Sequence, residues 1–203
     1  MADYAALGRG APAPRPECRR CGKTMAFDGR YPRRVREAGV TYRVLVRRAR
    51  CSACGLGDAV VPDFVLRGRL DSTQAVGAAV VAYAGVELPA HAEALYAGVP
   101  ARTVRSWRQR FAGRAEQLWG RLGAVSVGWG GRDGLADAPS STPVGAAVGA
   151  IGAVWRAARR RPDADVPPPW RLANVIVGGR LMSTRVDLPW PIDPAWIGRA
   201  RGP

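Results

Sequence analysis

The chain has 203 residues, with 30 arginines and a single lysine against 16 acidic side chains, for a formal net charge of +15. That length suits one ordinary domain or two small ones, and the charge points to a polyanionic partner. No apolar run approaches the ~20 residues of a membrane span; the longest, 75–86 and 144–155, are broken by glycine, and the first residues lack the apolar stretch of a signal peptide, so a soluble cytoplasmic, nucleoid-associated protein without membrane contact is expected.

Residues 1–16 carry Ala, Gly, Pro and Arg without periodicity and read as a disordered lead-in. All four cysteines follow in two pairs, Cys18-Arg-Arg-Cys21-Gly22 and Cys51-Ser-Ala-Cys54-Gly55, with 29 residues between Cys21 and Cys51. Two cysteines separated by two residues chelate one tetrahedral ion from a tight turn, and the following glycine lets backbone N–H groups fold back toward the thiolates. A disulfide framework needs an oxidising compartment, and a redox Cys-x-x-Cys does not normally come twice with glycine after each. Cys18, Cys21, Cys51 and Cys54 are therefore expected to hold one structural Zn2+, with no open position for catalysis.

Between the pairs, Arg33-Arg-Val-Arg36 and Thr41-Tyr-Arg-Val-Leu-Val-Arg47 flank the turn signal Glu37-Ala38-Gly39, which predicts a β-hairpin within a zinc ribbon over 17–68. A fragment this small buries too little to fold without its metal. Residues 15–50 hold twelve basic and three acidic side chains, and 101–121 hold six and one, so most of the net charge is local. Arginine in strands can serve as edge protection, but this concentration favours phosphate contact by Arg33, Arg34, Arg36, Arg43, Arg47 and Arg48.

From residue 69 the pattern turns helical. Asp71-Ser-Thr-Gln74 is an N-cap with Gln at the third helical position, Val76, Val80 and Tyr83 mark an apolar face, and Gly85 ends that helix. Pro89 can start a second helix with 90–95 as its body; Gly98 makes a turn, and a third helix shows Val104, Trp107, Phe111, Ala115, Leu118 and Leu122 at spacings of three or four. Arg102, Arg105, Ser106 and Gln109 lie opposite that stripe, flanked by Arg108 and Arg110. Small Ala94 at the crossing, Gly98 at the turn, and inward Val99, Val104 and Trp107 give the register of a helix-turn-helix over 69–124. His91, on the first helix of the pair, reads as a surface or packing residue.

Residues 125–142 read as a Gly-rich linker, so a fragment ending at Leu122 is expected to keep its fold and partner. Thr142-Pro143 caps a further helix with Val144, Val148, Ile151, Trp155 and Ala158 on one face and Pro162 as its stop. The remainder of 143–203 is Pro- and Trp-rich and carries no chemistry that can be assigned.

The two Cys-x-x-Cys-Gly pairs, the arginine-rich hairpin between them and the helical segment that follows resemble the N-terminal DNA-binding region of bacterial insertion-sequence transposases. They are closer still to stand-alone bacterial zinc-ribbon/helix-turn-helix proteins. The resemblance covers about 18–122. It implies binding of duplex DNA at an element's end, with a downstream RNase H-like domain doing the cutting. Here 81 residues follow Leu122, too few for that fold, and their acids sit mostly in Gly/Pro-rich segments that cannot hold two metal ions rigidly. The expectation is an α+β protein without enzymatic activity: a four-cysteine zinc ribbon, a helix-turn-helix domain and a partly irregular tail. Arg102, Arg105, Ser106 and Gln109 would face base edges. Arg33, Arg34, Arg36, Arg43, Arg47, Arg48, Arg108 and Arg110 would hold phosphate. The rival readings are a non-catalytic subunit or remnant of a transposase, acting as a homodimer or with a separate recombinase chain, and a ribbon that docks a protein or RNA.

Overall fold

The computed structural model describes residues 1–86, 91–130, 141–161 and 165–183. It is α+β: a three-stranded antiparallel sheet of order β1-β2-β3 beside a set of helices. The strands are β1 (Ala26–Glu37), β2 (Val40–Arg50) and β3 (Gly57–Val60). Ala38 and Gly39 connect the long hairpin with φ of 50° and 76°, the positive pair that a two-residue type I′ turn requires. Alternation then sends Val35, Val44 and Val46 to one face, where they bury against Phe64 and Val65. Helix α1 (Ala2–Leu7) covers the same cluster, with Tyr4 edge-on to Phe64 at 5.1 Å between centroids. The lead-in expected to be disordered is thus structured at its start, because an aromatic anchor compensates for its weak composition.

Helix α2 (Thr73–Tyr83) begins at Ser72, whose Oγ accepts from the Ala75 N–H at 3.1 Å. Val76 and Val80 are buried as expected, but Tyr83 is 54% exposed and lies under the Arg108 guanidinium, 5.7 Å away. The second helix of the expected trio is reduced to a 3-10 turn, Glu93–Tyr96, within the described residues, and Ala94 is exposed rather than wedged at a crossing. Pro89, its expected start, lies outside the described residues. Gly98 turns the chain at φ 74° as the sequence requires, and His91 is on the surface.

The predicted third helix is two: α3 (Ala101–Ala112) and α4 (Ala115–Gly128), separated by Gly113 and Arg114. All six periodic residues, Val104 to Leu122, are buried in spite of the break. At the break the Arg114 side chain turns inward, and its Nη1 donates to the carbonyls of Arg180, at 2.7 Å, and Ser183.

Those six residues share one core with the last third of the chain. Helices α5 (Pro143–Arg159) and α6 (Pro169–Ile176) supply Val144, Ile151, Val154, Leu172 and Ile176, and Leu181 and Met182 close it. Thr142 caps α5 as read, its Oγ1 accepting from the Gly145 N–H. The linker expectation fails at its start: 125–128 belong to α4, and α5 and α6 share one core with α3 and α4. Asn174 donates to the carbonyls of Asp63 and Val65, and Arg67 to that of Gly178, so α6 and its end brace the stretch between sheet and α2. Residues 131–140 and the Pro/Trp-rich 184–203 lie outside the described residues. Among the described residues no helix is long and apolar enough to cross a membrane.

Candidate metal centre and basic surface

Each cysteine pair forms a tight loop closed by its own backbone. The Gly22 N–H donates to the Cys18 carbonyl at 2.7 Å and the Gly55 N–H to that of Cys51 at 2.9 Å, both glycines having positive φ, 70° and 72°. Cys18 and Cys51 are buried, Cys54 half-buried and Cys21 exposed, and none is in a disulfide. The Sγ atoms of Cys18 and Cys54 lie 3.4 Å apart, those of Cys21 and Cys51 3.5 Å, those of Cys21 and Cys54 3.9 Å. All four lie within 4.8 Å of one another. A tetrahedron with metal–sulfur bonds of about 2.3 Å has edges of about 3.8 Å. The four thiols therefore fit a single ion.

The electrostatics of the cluster agree. Backbone N–H groups, that of Arg20 foremost, lower the Cys18 thiol to about 6, and the Cys54 N–H leads in lowering Cys51. Cys54 receives the Leu56 N–H, but the neighbouring sulfurs, Cys18 first, and burial together outweigh it and push the thiol up to about 11; at Cys21 the Lys23 N–H is the largest single effect, but the sulfurs of Cys51 and Cys18 and burial together raise the thiol. Four sulfurs this close do not all ionise on their own, and a cation among them removes the conflict.

On the face of the hairpin away from the apolar cluster, register sets like charges opposite one another. Arg30 pairs with Arg47 and Arg34 with Arg43, with Pro32 against Leu45 between them. Like charges directly across a ladder are unfavourable, so this arrangement costs stability unless an anion lies over it. Arg30, Arg34, Arg43 and Arg48 are exposed; Arg47 is half-buried, its guanidinium 4.6 Å from the Phe27 ring centre. Arg48 and Arg50 share Asp28 at 3.8 and 3.5 Å.

Three of the arginines expected on phosphate are engaged within the fold instead. Arg33 Nη2 donates to the carbonyls of Leu66 and Arg69, at 2.6 and 2.7 Å. Arg36 Nε binds Asp71 at 2.7 Å, and Arg108 Nε donates to the Ala79 carbonyl at 3.1 Å. On α3, Arg102, Arg105, Gln109 and Arg110 are exposed opposite buried Val104, Trp107 and Phe111, whereas Ser106 is half-buried and accepts from Arg110 Nε. Arg30 joins the cations expected on phosphate, and its place four residues before Arg34, on one strand face, is the signal in the sequence.

Sheet, helices and cysteine cluster together define an α+β protein with a four-thiol site able to hold a metal ion. Residues 18–107, somewhat less than half of the chain, match a family described as a domain of unknown function (DUF6431), from the first cysteine to the middle of α3. No curated protein and no solved structure matches the chain.

Proposed function

We propose that the chain is a zinc-dependent protein that binds duplex DNA, with α3 in the major groove and the hairpin arginines on phosphate. The outward face of α3 carries this reading. Arg102, Arg105 and Gln109 are exposed there, and no ion pair among the described residues involves them. Arginine suits guanine and glutamine adenine, each as a bidentate donor or donor–acceptor pair. Arg34, Arg43 and Arg48, joined by Arg30 and by Arg110 on α3, are exposed cations for phosphate, and Arg47 a half-buried one. Zn2+ bound by the four thiolates would tie the two cysteine loops together and thereby set the ends of β1 and β2. The reading assigns the chain no catalytic step; any cutting of DNA would belong to a separate transposase or recombinase chain.

The test is selection of bound sequences from a random duplex pool, then titration of the preferred and a random duplex. Arg105→Ala and Gln109→Ala should each cost ~1–3 kcal/mol on the preferred duplex and less on the random one. Equal losses on both would remove α3 as the reader. Capture of RNA or a protein with no duplex binding would put an interaction module in its place.

A further inference from the structure

In a helix-turn-helix the first helix of the pair sets the angle of the second. Here the element before α3 is the 3-10 turn Glu93–Tyr96, which has no side-chain cap and exposes Glu93 and Ala94. One turn of backbone is a poor brace. The missing support comes from the tip of the hairpin. The Ala38 N–H donates to the Leu95 carbonyl at 2.9 Å, from a non-glycine residue held at φ 50°. Its neighbour Glu37 accepts from Ser72 Oγ at 2.5 Å, while that same Oγ caps α2 through the Ala75 N–H. Arg36 completes the grip: its N–H donates to the Leu70 carbonyl, its carbonyl accepts from the Ser72 N–H, and its side chain meets Asp71, which is 4% exposed.

The tip therefore holds the start of α2 and the turn before α3 together. A left-handed conformation at an alanine costs energy, and it is retained where the surroundings over-determine it. We infer that Glu37 and Ala38 are positioning residues for α3, supporting the turn that precedes it and fixing the angle at which Arg105 and Gln109 meet DNA. The inference rests on the proposed function for its consequence and on the hairpin tip alone for its geometry.

The experiment uses the full zinc-loaded chain with Glu37→Ala, Glu37→Asp and Glu37→Gln. Glutamine keeps an acceptor at the same reach. Aspartate is one methylene short of Ser72 and disturbs the fold least, which keeps the test open if Glu37→Ala does not fold. In the free protein, hydrogen exchange should quicken at 95–99 in the Ala and Asp variants and stay slow in the Gln variant. With DNA, the ratio of affinities for preferred and random duplex should fall about tenfold in the first two, with the salt slope unchanged. Unchanged exchange or an unchanged ratio in both would overturn the inference, as would a Gln variant no better than the Asp one. A wild-type chain with no duplex preference would instead remove the proposed function, and the exchange measurement would still decide whether the tip braces the turn.

Discussion

Removing residues 131–203 is the sharpest test of how the chain is built. The linker reading would leave a fragment ending at Leu122 folded, but the core excludes that outcome. Leu66, Phe111, Leu118 and Leu122 are fully buried and share their cluster with Val144, Ile151, Val154, Leu172, Ile176, Leu181 and Met182. Returning four large side chains to water costs about 1.5–3 kcal/mol each, about 6–12 kcal/mol in all. Total domain stability is commonly about 5–15 kcal/mol. The loss also takes the amide of Asn174 from the carbonyls of Asp63 and Val65. A zinc-loaded fragment 1–130 should therefore show no cooperative helical melt by circular dichroism and should be cut by protease within α3 and α4. A cooperative transition within a few degrees of the full chain would refute the reasoning, since it would mean that the shared core contributes little.

Further outcomes concern the metal centre and the arginines. The purified protein should carry one zinc per chain, and a chelator should raise hydrogen exchange at the cysteine loops while 31–46 stay protected, because Val35, Val44 and Val46 pack on Phe64 and Val65 independently of the metal; general loss of hairpin protection would contradict this. Zinc affinity should weaken as pH is lowered in competition titrations, because the Cys54 thiol, held up to about 11, keeps its proton through the neutral range and must lose it for the metal. Arg33→Ala should lower thermal stability, by about 1–3 kcal/mol for the carbonyls of Leu66 and Arg69 left without their donor, with little change in the salt slope of binding. Arg34→Ala with Arg43→Ala should do the reverse, lowering the slope by about one per phosphate contact without lowering the melting temperature, because the two charges repel across the ladder; the opposite assignment from melts and salt titrations would invalidate the division.

Some of this was open to view in the chain. Cysteine spacing with glycine after each pair is a local signal, and so is a turn sequence that ends on glycine between two runs rich in β-branched and aromatic residues. The burial of Val104, Trp107 and Phe111 was legible for the same reason. The break at Gly113 and Arg114 was hidden because Phe111 and Ala115 are four apart, the spacing of an unbroken helix. The place of α5 in the shared core was hidden because much of its buried face is Ala147, Ala150, Ala153 and Ala157, low in apolar area but small enough for close packing. The destinations of Arg33, Arg36 and Arg108 depend on carbonyls and a carboxylate that only the tertiary fold brings near. Arg36 shares a strand face with Arg34, and no spacing rule distinguishes those two.

The bonds from Asn174 to Asp63 and from Arg67 to Gly178 each bridge 111 residues. They set an order of events during synthesis. The cysteine loops and the hydrogen-bonded ladder of the three strands are complete by residue 60, whereas the helical core waits for its last pieces. At ribosomal rates of ~5–20 residues per second, a chain grows by that interval in roughly 5–20 s. Over that interval the thiols can take up metal beside helices that lack their packing partners. Contacts of such long separation close slowly, and α2, α3 and α4 then expose apolar surface. Early metal capture would spare the nascent chain a second unfinished element, leaving the helices alone in need of protection until α6 arrives.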